Sequence, residues 1–456
     1  MPHPKVVVIG AGSLFFGRQS LWNMLHSGVL NQGTLAYVDT NRSRVERMVK
    51  LGKLMAAHLR SPLTIEGSTD RRKVLKGADF VVLSFANEGV KYRGVDCRIA
   101  GKYGVLMCSG DTIGPGGIFR AMRELPEILR VAKDVEKLCP DAWVINYINP
   151  TTVNGIGLMR HAPRVKSFAM CDSLHMPGEK KRWLVRAGVV KEAQDATPKM
   201  LREFDLRIGG INHFPWLLKA AYKGKDATPA IRRELESRAA KETGDAPAKE
   251  VFNARYALEL WDLFGLCPTN LHHTKEYVRY WQGKNVAKAK LPPLKVFNAP
   301  ERQLRHDAMW AEVDSYLSGK LPPEHFMTNH SQDHATDVIE SMWGGLKKRF
   351  YVSSRNRGAV TNMDDDAFLE LLCDIDMNGP RPLPVGAFPQ GIRAMEQLVL
   401  ETHELTVKAI ATCDRAVLRR AMVLDPIVPS VEDADAMIAE LLKAERTALP
   451  KCWFVS

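Results

Sequence analysis

Over the first third of the chain, short apolar runs alternate with helix-length stretches. Residues 5–9, 35–38, 80–84 and 143–148 are each mostly apolar and are closed by a glycine, a proline or a polar residue. Residues 42–59 and 119–138 lie between such runs and are long enough for helices. An apolar run without polar alternation fits a strand buried on both faces. Strand–helix alternation then predicts a parallel sheet covered by helices on both sides.

Past about residue 200 the rhythm changes. Residues 229–243, 249–264, 334–346 and 390–424 read as helices, and 350–376 as extended in part. Gly244 and Pro247 make 243–248 the most linker-like stretch. The pattern predicts an α/β domain at residues 1–200, followed by a mainly helical α+β domain at 201–456 that completes the active site. A homo-oligomer is expected, with the second domain supplying its contacts.

The run Val6-Val7-Val8-Ile9 enters Gly10-Ala11-Gly12-Ser13. A strand that turns through glycines into a helix suits a dinucleotide. Gly10 permits the turn, Gly12 lets the backbone approach a pyrophosphate, and Ser13 opens the helix N-terminus on which that group rests. Phe15 stands where the third glycine of the usual pattern falls, so the motif alone is only moderately specific. Asp39 closes the second run, the place from which a carboxylate holds both ribose hydroxyls. It would repel a 2′-phosphate and so favours NAD over NADP; Arg42, nearby, softens that preference. The first domain is read as Rossmann-type.

Five further segments, taken in order, resemble glycoside hydrolase family 4. They are Asp111 through Arg120 with Arg123 and Pro126; Asn149-Pro150-Thr151-Thr152; Cys171-Asp172; Gly210-Ile211-Asn212-His213; and Asn356-Arg357-Gly358 with Asn362 and the turn at 386–389. Any one is weak, but the ordered set spans nearly the whole chain. The resemblance implies a fold like that of lactate and malate dehydrogenases. It also implies a divalent metal, usually manganese, on Cys171 and His213. A thiolate and an imidazole from two loops can share one ion and leave positions open for substrate oxygens. Taken alone, Cys171 reads equally as a small buried hydrophobe and His213 as a core histidine.

The resemblance further implies that Asn149 contacts sugar hydroxyls, with Asp111 and Arg123 lining the same site. Asp172 looks like the acid that protonates the leaving oxygen, and an Asp at this point leans toward α-linked substrates. Some members take their base from a Tyr-rich segment. The corresponding residues 264–277 make His273 the site candidate here, with His272 and Tyr277 behind it. The implied reaction is a hydrolysis by way of redox chemistry. NAD oxidises C3 of the sugar, C2 loses a proton, the glycosidic oxygen leaves, water adds at C1, and C3 is reduced again. No pair of carboxylates at glycosidase spacing is needed. Two other readings share the nucleotide half: an NAD-dependent 2-hydroxy-acid dehydrogenase releasing NADH stoichiometrically, and a nucleotide-binding sensor without turnover.

Bulk properties narrow the setting. The net charge is +12, yet Lys and Arg are interleaved with acids, as in 232–249, and no long basic tract occurs. This argues against nucleic acid and membrane partners and leaves a small glycoside, neutral or anionic. The eight cysteines are scattered without a CxxC pair, and no apolar run is long enough to span a bilayer. With no signal peptide, and a chain long enough to bury its own core, a reducing, cytoplasmic setting is expected, with no disulfide needed.

Overall fold

The computed structural model describes residues 3–171, 174–242, 253–270, 272–282, 294–330 and 334–455. Asp172 and the linker-like stretch 243–248 lie outside them.

The first half builds β1 (Lys5–Ile9), β2 (Thr34–Val38), β3 (Thr64–Ser68), β4 (Phe80–Leu83), β5 (Trp143–Asn146) and β6 (Lys166–Ala169). They pair in parallel in the order β3-β2-β1-β4-β5-β6. Val7 and Ile9 of β1 enter the core on one face, Val6 and Val8 the core on the other. In β4, Val81 and Leu83 divide in the same way from Phe80 and Val82. Burial on both sides is why these runs carry no polar alternation. Two strands escaped the sequence pattern. In β3, Thr-Ile-Glu-Gly-Ser, only Ile65 is buried, as suits a sheet edge, and β6 buries just its last two residues.

The second half adds β7 (Phe204–Gly210), β8 (Trp216–Tyr222), β9 (Lys225–Asp226), β10 (Arg349–Arg355), β11 (Phe368–Asp376) and β12 (Gly379–Pro382). These extend the same sheet. β10 meets β6 antiparallel at Ser353 and Ala169, and β11, β7, β8 and β9 follow outward, with β12 on β11. The predicted α/β first half and α+β second half are both present, and one sheet runs through them. Helices make up most of the rest of the second half. The expected helix at 390–424 is two: Gln390–Thr412 ends at Cys413 in the left-handed region (φ 52°), and Asp414 caps Arg415–Leu424 through the N–H groups of Ala416 and Val417. No helix among the described residues is long and apolar enough to cross a membrane.

One covalent link was not foreseen from the sequence. Cys413 and Cys452 form a disulfide, 39 positions apart in sequence. The helices Arg415–Leu424 and Val431–Ala444 fold the C-terminus back onto the end of Gln390–Thr412, and no spacing rule discloses that return. The other six cysteines stand outside any disulfide.

Asp425 ties this C-terminal region to the site. It is buried and accepts the N–H groups of Gly114 (2.9 Å) and Ile427 (3.1 Å), at the head of the helix Gly114–Leu138. Burial outweighs those two bonds and pushes its carboxyl up to about 7. In an unfolded chain the group titrates near 4. From about pH 4 to 7 the native state therefore holds a proton that the unfolded state has lost, and stability falls as pH rises through that window. Asp425→Asn is expected to flatten this slope, removing on the order of 4 kcal/mol of stability change summed over the window. Denaturant titrations of both proteins at a series of pH values check it; parallel slopes would refute it.

Candidate active site

In a parallel sheet the strand C-termini share one edge, where ligands bind. Here that edge carries Gly10 after β1, Asp39 after β2, Asn149 just past β5 and Cys171 just past β6.

The glycine turn is built for close approach. Gly10 has φ +104°, and a Cβ there would lie 2.5 Å from the Phe85 amide nitrogen. The Gly12 N–H donates to Asp39 Oδ2 (2.7 Å), and Asn41 N–H donates to Oδ1 (2.9 Å). The Ser13 N–H closes the turn on Gly10 O (2.8 Å), and its side chain makes no cap bond to the helix that follows. That leaves the helix N-terminus available to an anion. A side chain on Gly12 would collide with Asp39 Oδ2 and Arg44 Cδ, both 2.7 Å away, so the cradle exists only because Gly12 is bare. Arg42 points away and pairs with Glu46 on the surface; Arg44 is the arginine that lies against the turn.

Cys171 and His213 meet. Cys171 Sγ is 3.1 Å from His213 Nε2. Metal bonds of about 2.3 Å to sulfur and about 2.0 Å to nitrogen would let two donors of one ion stand up to about 4 Å apart. The pair therefore fits one shared ion. Burial, then the neighbouring His273, hold the His213 imidazole well below its usual range, outweighing the opposing pull of Asp111. The ring is neutral and keeps a lone pair for a metal. Among the described residues no group of three or more His, Cys, Asp or Glu side chains stands at metal-binding distance.

Support for the two donors comes from residues that no motif marked. His213 has a left-handed backbone (φ 69°) in the turn between β7 and β8. Two buried glutamates fix that turn: Glu396 accepts the Ile211 N–H (2.8 Å), and Glu370 accepts from Asn212 Nδ2 (3.3 Å). The Cys171 carbonyl is 3.2 Å from His334 Nδ1, whose ring stacks on His175 at 3.7 Å. His175 in turn contacts Asp337 (3.2 Å), which also accepts from Lys348 (2.9 Å).

Asp111 is the hub of the sugar side. It is buried and meets Arg93 (3.2 Å), Arg120 (2.8 Å), Ser109 Oγ (2.8 Å) and Asn149 Nδ2 (3.3 Å). Burial alone would raise its carboxyl, but Arg93 and Arg120, with the Ser109 hydroxyl, hold it well below the usual range. Asp111 and Asn149 are thus brought together. Arg123 is not brought to them: its side chain is 1% exposed and spans Asp96 (2.8 Å) and Glu445. Arg93, stacked at 4.0 Å on Phe297, and Arg120 occupy the place beside Asp111.

His273 lies flat on His213, ring centres 3.9 Å apart and planes within 6°. Its Nδ1 is 3.8 Å from Glu276 Oε1. Glu276 also accepts from Ser109 N–H (2.6 Å), Gly110 N–H (3.2 Å) and the Cys108 thiol (2.8 Å), so one carboxylate couples the His273 segment to the loop bearing Asp111. His272 is exposed and bonds to Asn253 (3.1 Å). Tyr277 is buried and donates to Asn212 O (3.1 Å), and burial pushes its hydroxyl far above the usual range. The Asn356-Arg357-Gly358 segment shapes the fold: buried Asn356 donates to three backbone carbonyls between residues 360 and 364 and accepts the Val360 N–H.

The chain is similar to several known proteins. The chain is 27% identical to an alpha-galactosidase of Bacillus subtilis (strain 168) over 461 residues, covering 98% of this chain and 99% of that protein. Among solved structures it is similar to a 6-phospho-alpha-glucosidase from gut microorganisms in complex with NAD and Mn2+, with TM-score 0.80, 20% identity, and 98% and 99% of the two chains covered. The lactate dehydrogenase of Cryptosporidium parvum matches at TM-score 0.51 and 11% identity, over 90% of this chain and 99% of that one, which bears out the dehydrogenase-like fold. Residues 5–181 match the Family 4 glycosyl hydrolase model, and residues 208–428 match the model of the Family 4 glycosyl hydrolase C-terminal domain. The chain is a glycoside hydrolase and belongs to family 4.

Proposed function

We propose that this hydrolase cleaves an α-linked O-glycoside through transient NAD-dependent oxidation of the sugar at C3, with a divalent ion, manganese in the first instance, at Cys171 and His213. The observation that carries the reading is the 3.1 Å approach of a thiol to a neutral imidazole, on the same sheet edge as the glycine turn and Asp39. A two-carboxylate glycosidase has use for neither feature. The 6-phospho-alpha-glucosidase solved with NAD and Mn2+ supports the same cofactors. That enzyme and the alpha-galactosidase, both named for α-glycosides, support the α linkage. Two guanidiniums, Arg93 and Arg120, flank the sugar side and would suit an anionic glycoside.

When bound, NAD supplies a hydride acceptor, and the divalent ion a Lewis acid that stabilises oxyanion charge beside C2. The chain supplies the rest. Residues 1–200 are assigned to the nucleotide, and 201–456 complete the sugar side. Asp111 and Asn149 bind and orient sugar hydroxyls, with Arg93 and Arg120 fixing Asp111. His273 takes the C2 proton, and its ring is held in place by His213 beneath it. Asp172 gives its proton to the leaving oxygen. The enzyme is assigned to the cytoplasm.

NAD dependence is the direct test. Enzyme stripped of nucleotide by dialysis is expected to lose glycosidase activity and to regain it on addition of NAD, with no net NADH released. Full activity in protein verified to be free of nucleotide would end the reading.

A further inference from the structure

A pocket of about 370 Å³ opens beside Asn41, between the first turns of the helix Arg42–His58 and the helix Ala299–Leu317. Asn41, Ser43 and Arg44 line one wall, and Gln303, His306 and Ala311 line the other.

The topology says which end of a dinucleotide would meet this pocket. The sugar-side residues Asn149 and Cys171 stand past β5 and β6, so the nicotinamide must point toward them. The pyrophosphate crosses Gly12 at β1. In the order β2-β1-β4-β5-β6 the adenosine is then carried the other way, past Asp39 at β2 and into the pocket.

The far wall is anchored at the glycine turn itself. His306 Nε2 is 3.3 Å from Gly12 O. Arg18 pairs with Glu312, and Arg47 pairs with Asp314 (2.8 Å) while lying 4.0 Å over the Trp310 ring. These contacts seat a helix from the second half of the chain against both flanking helices of the first. Among the described residues no ion pair engages Arg44, which leaves its planar guanidinium available to stack on a base or to meet a phosphate. Asp307 and Asp314 balance Arg44 and Arg47 around the cavity, and Asp39, which follows the neighbouring strand β2, suits a ribose with a free 2′-hydroxyl.

We propose that the helix Ala299–Leu317 forms the outer wall of the adenosine end of the nucleotide site, so that the second half of the chain retains the cofactor as well as completing the sugar side. This rests on the NAD-dependent reading. A nucleotide oxidised and reduced within one turnover is best kept bound, and a wall contributed by the other half keeps it.

The test fills the pocket from its outer wall. Ala311 and Gln303 are both exposed, so a larger side chain there displaces no core packing. Ala311→Trp and Gln303→Trp are compared with the unaltered protein for equilibrium binding of NAD and of AMP, which carries the adenosine end alone. Melting temperatures without nucleotide verify that each variant is folded. The expected result is a dissociation constant at least tenfold higher for both ligands, by a similar factor, in at least one variant. Folded variants that bind NAD and AMP as tightly as the unaltered protein would overturn the proposal and leave the NAD-dependent reading standing. An unaltered protein that binds no NAD would overturn both.

Discussion

Cys171→Ser is expected to lower kcat/KM by at least about a thousandfold and to strip the protein of most of its bound divalent metal. A serine hydroxyl stays protonated where a cysteine thiol ionises, so the ion would lose its anionic donor and keep only neutral His213. Stabilising developing oxyanion charge is worth several kcal/mol to a metal-assisted reaction, and about 4 kcal/mol corresponds to a thousandfold in rate. A chelator should reproduce the loss in the unaltered protein, and manganese should reverse it there but not in the variant. Metal analysis and a melting curve on the same sample separate loss of the ion from loss of the fold. A serine variant with normal metal content and normal turnover would end the assignment of Cys171.

The second large effect concerns the order of bond changes. A substrate deuterated at C2 is expected to yield product whose C2 deuterium has exchanged for solvent hydrogen when hydrolysis runs in ordinary water. Transient oxidation at C3 makes the C2 hydrogen acidic, and a base must remove it before the glycosidic oxygen can leave. Direct displacement at C1 never touches C2. His273→Asn should abolish exchange and hydrolysis together if His273 is that base. Asp172→Asn should slow substrates with poor leaving groups most, because an activated phenolate needs little protonation. Mass spectrometry of the product reads the exchange, and product retaining all of its C2 deuterium excludes the mechanism.

What the sequence by itself determined is what short-range geometry dictates. β1, Gly10, Gly12 and Asp39 were legible because a strand, a glycine turn and the end of the next strand fall within forty positions, each residue type matched to one backbone or ligand requirement. The apolar runs of β4 and β5 were legible because strands buried on both faces carry no polar positions. The tertiary structure decided the pairings across long separations. Cys171 and His213 meet only because β6, β10, β11 and β7 lie side by side, an order that no local pattern contains. Arg120 and Arg123 are three apart on one helix, where neighbours share a side, yet Arg120 turns to Asp111 and Arg123 to Asp96 and Glu445. Glu276, Glu370 and Glu396 stand alone in sequence, and their roles appear only when buried backbone N–H groups and amides elsewhere need acceptors. Cys413 and Cys452 were likewise unremarkable until the last helices folded back. Local chemistry writes the turn and the strand; which distant carboxylate, thiol or guanidinium is desolvated beside which partner depends on the packing of the whole chain.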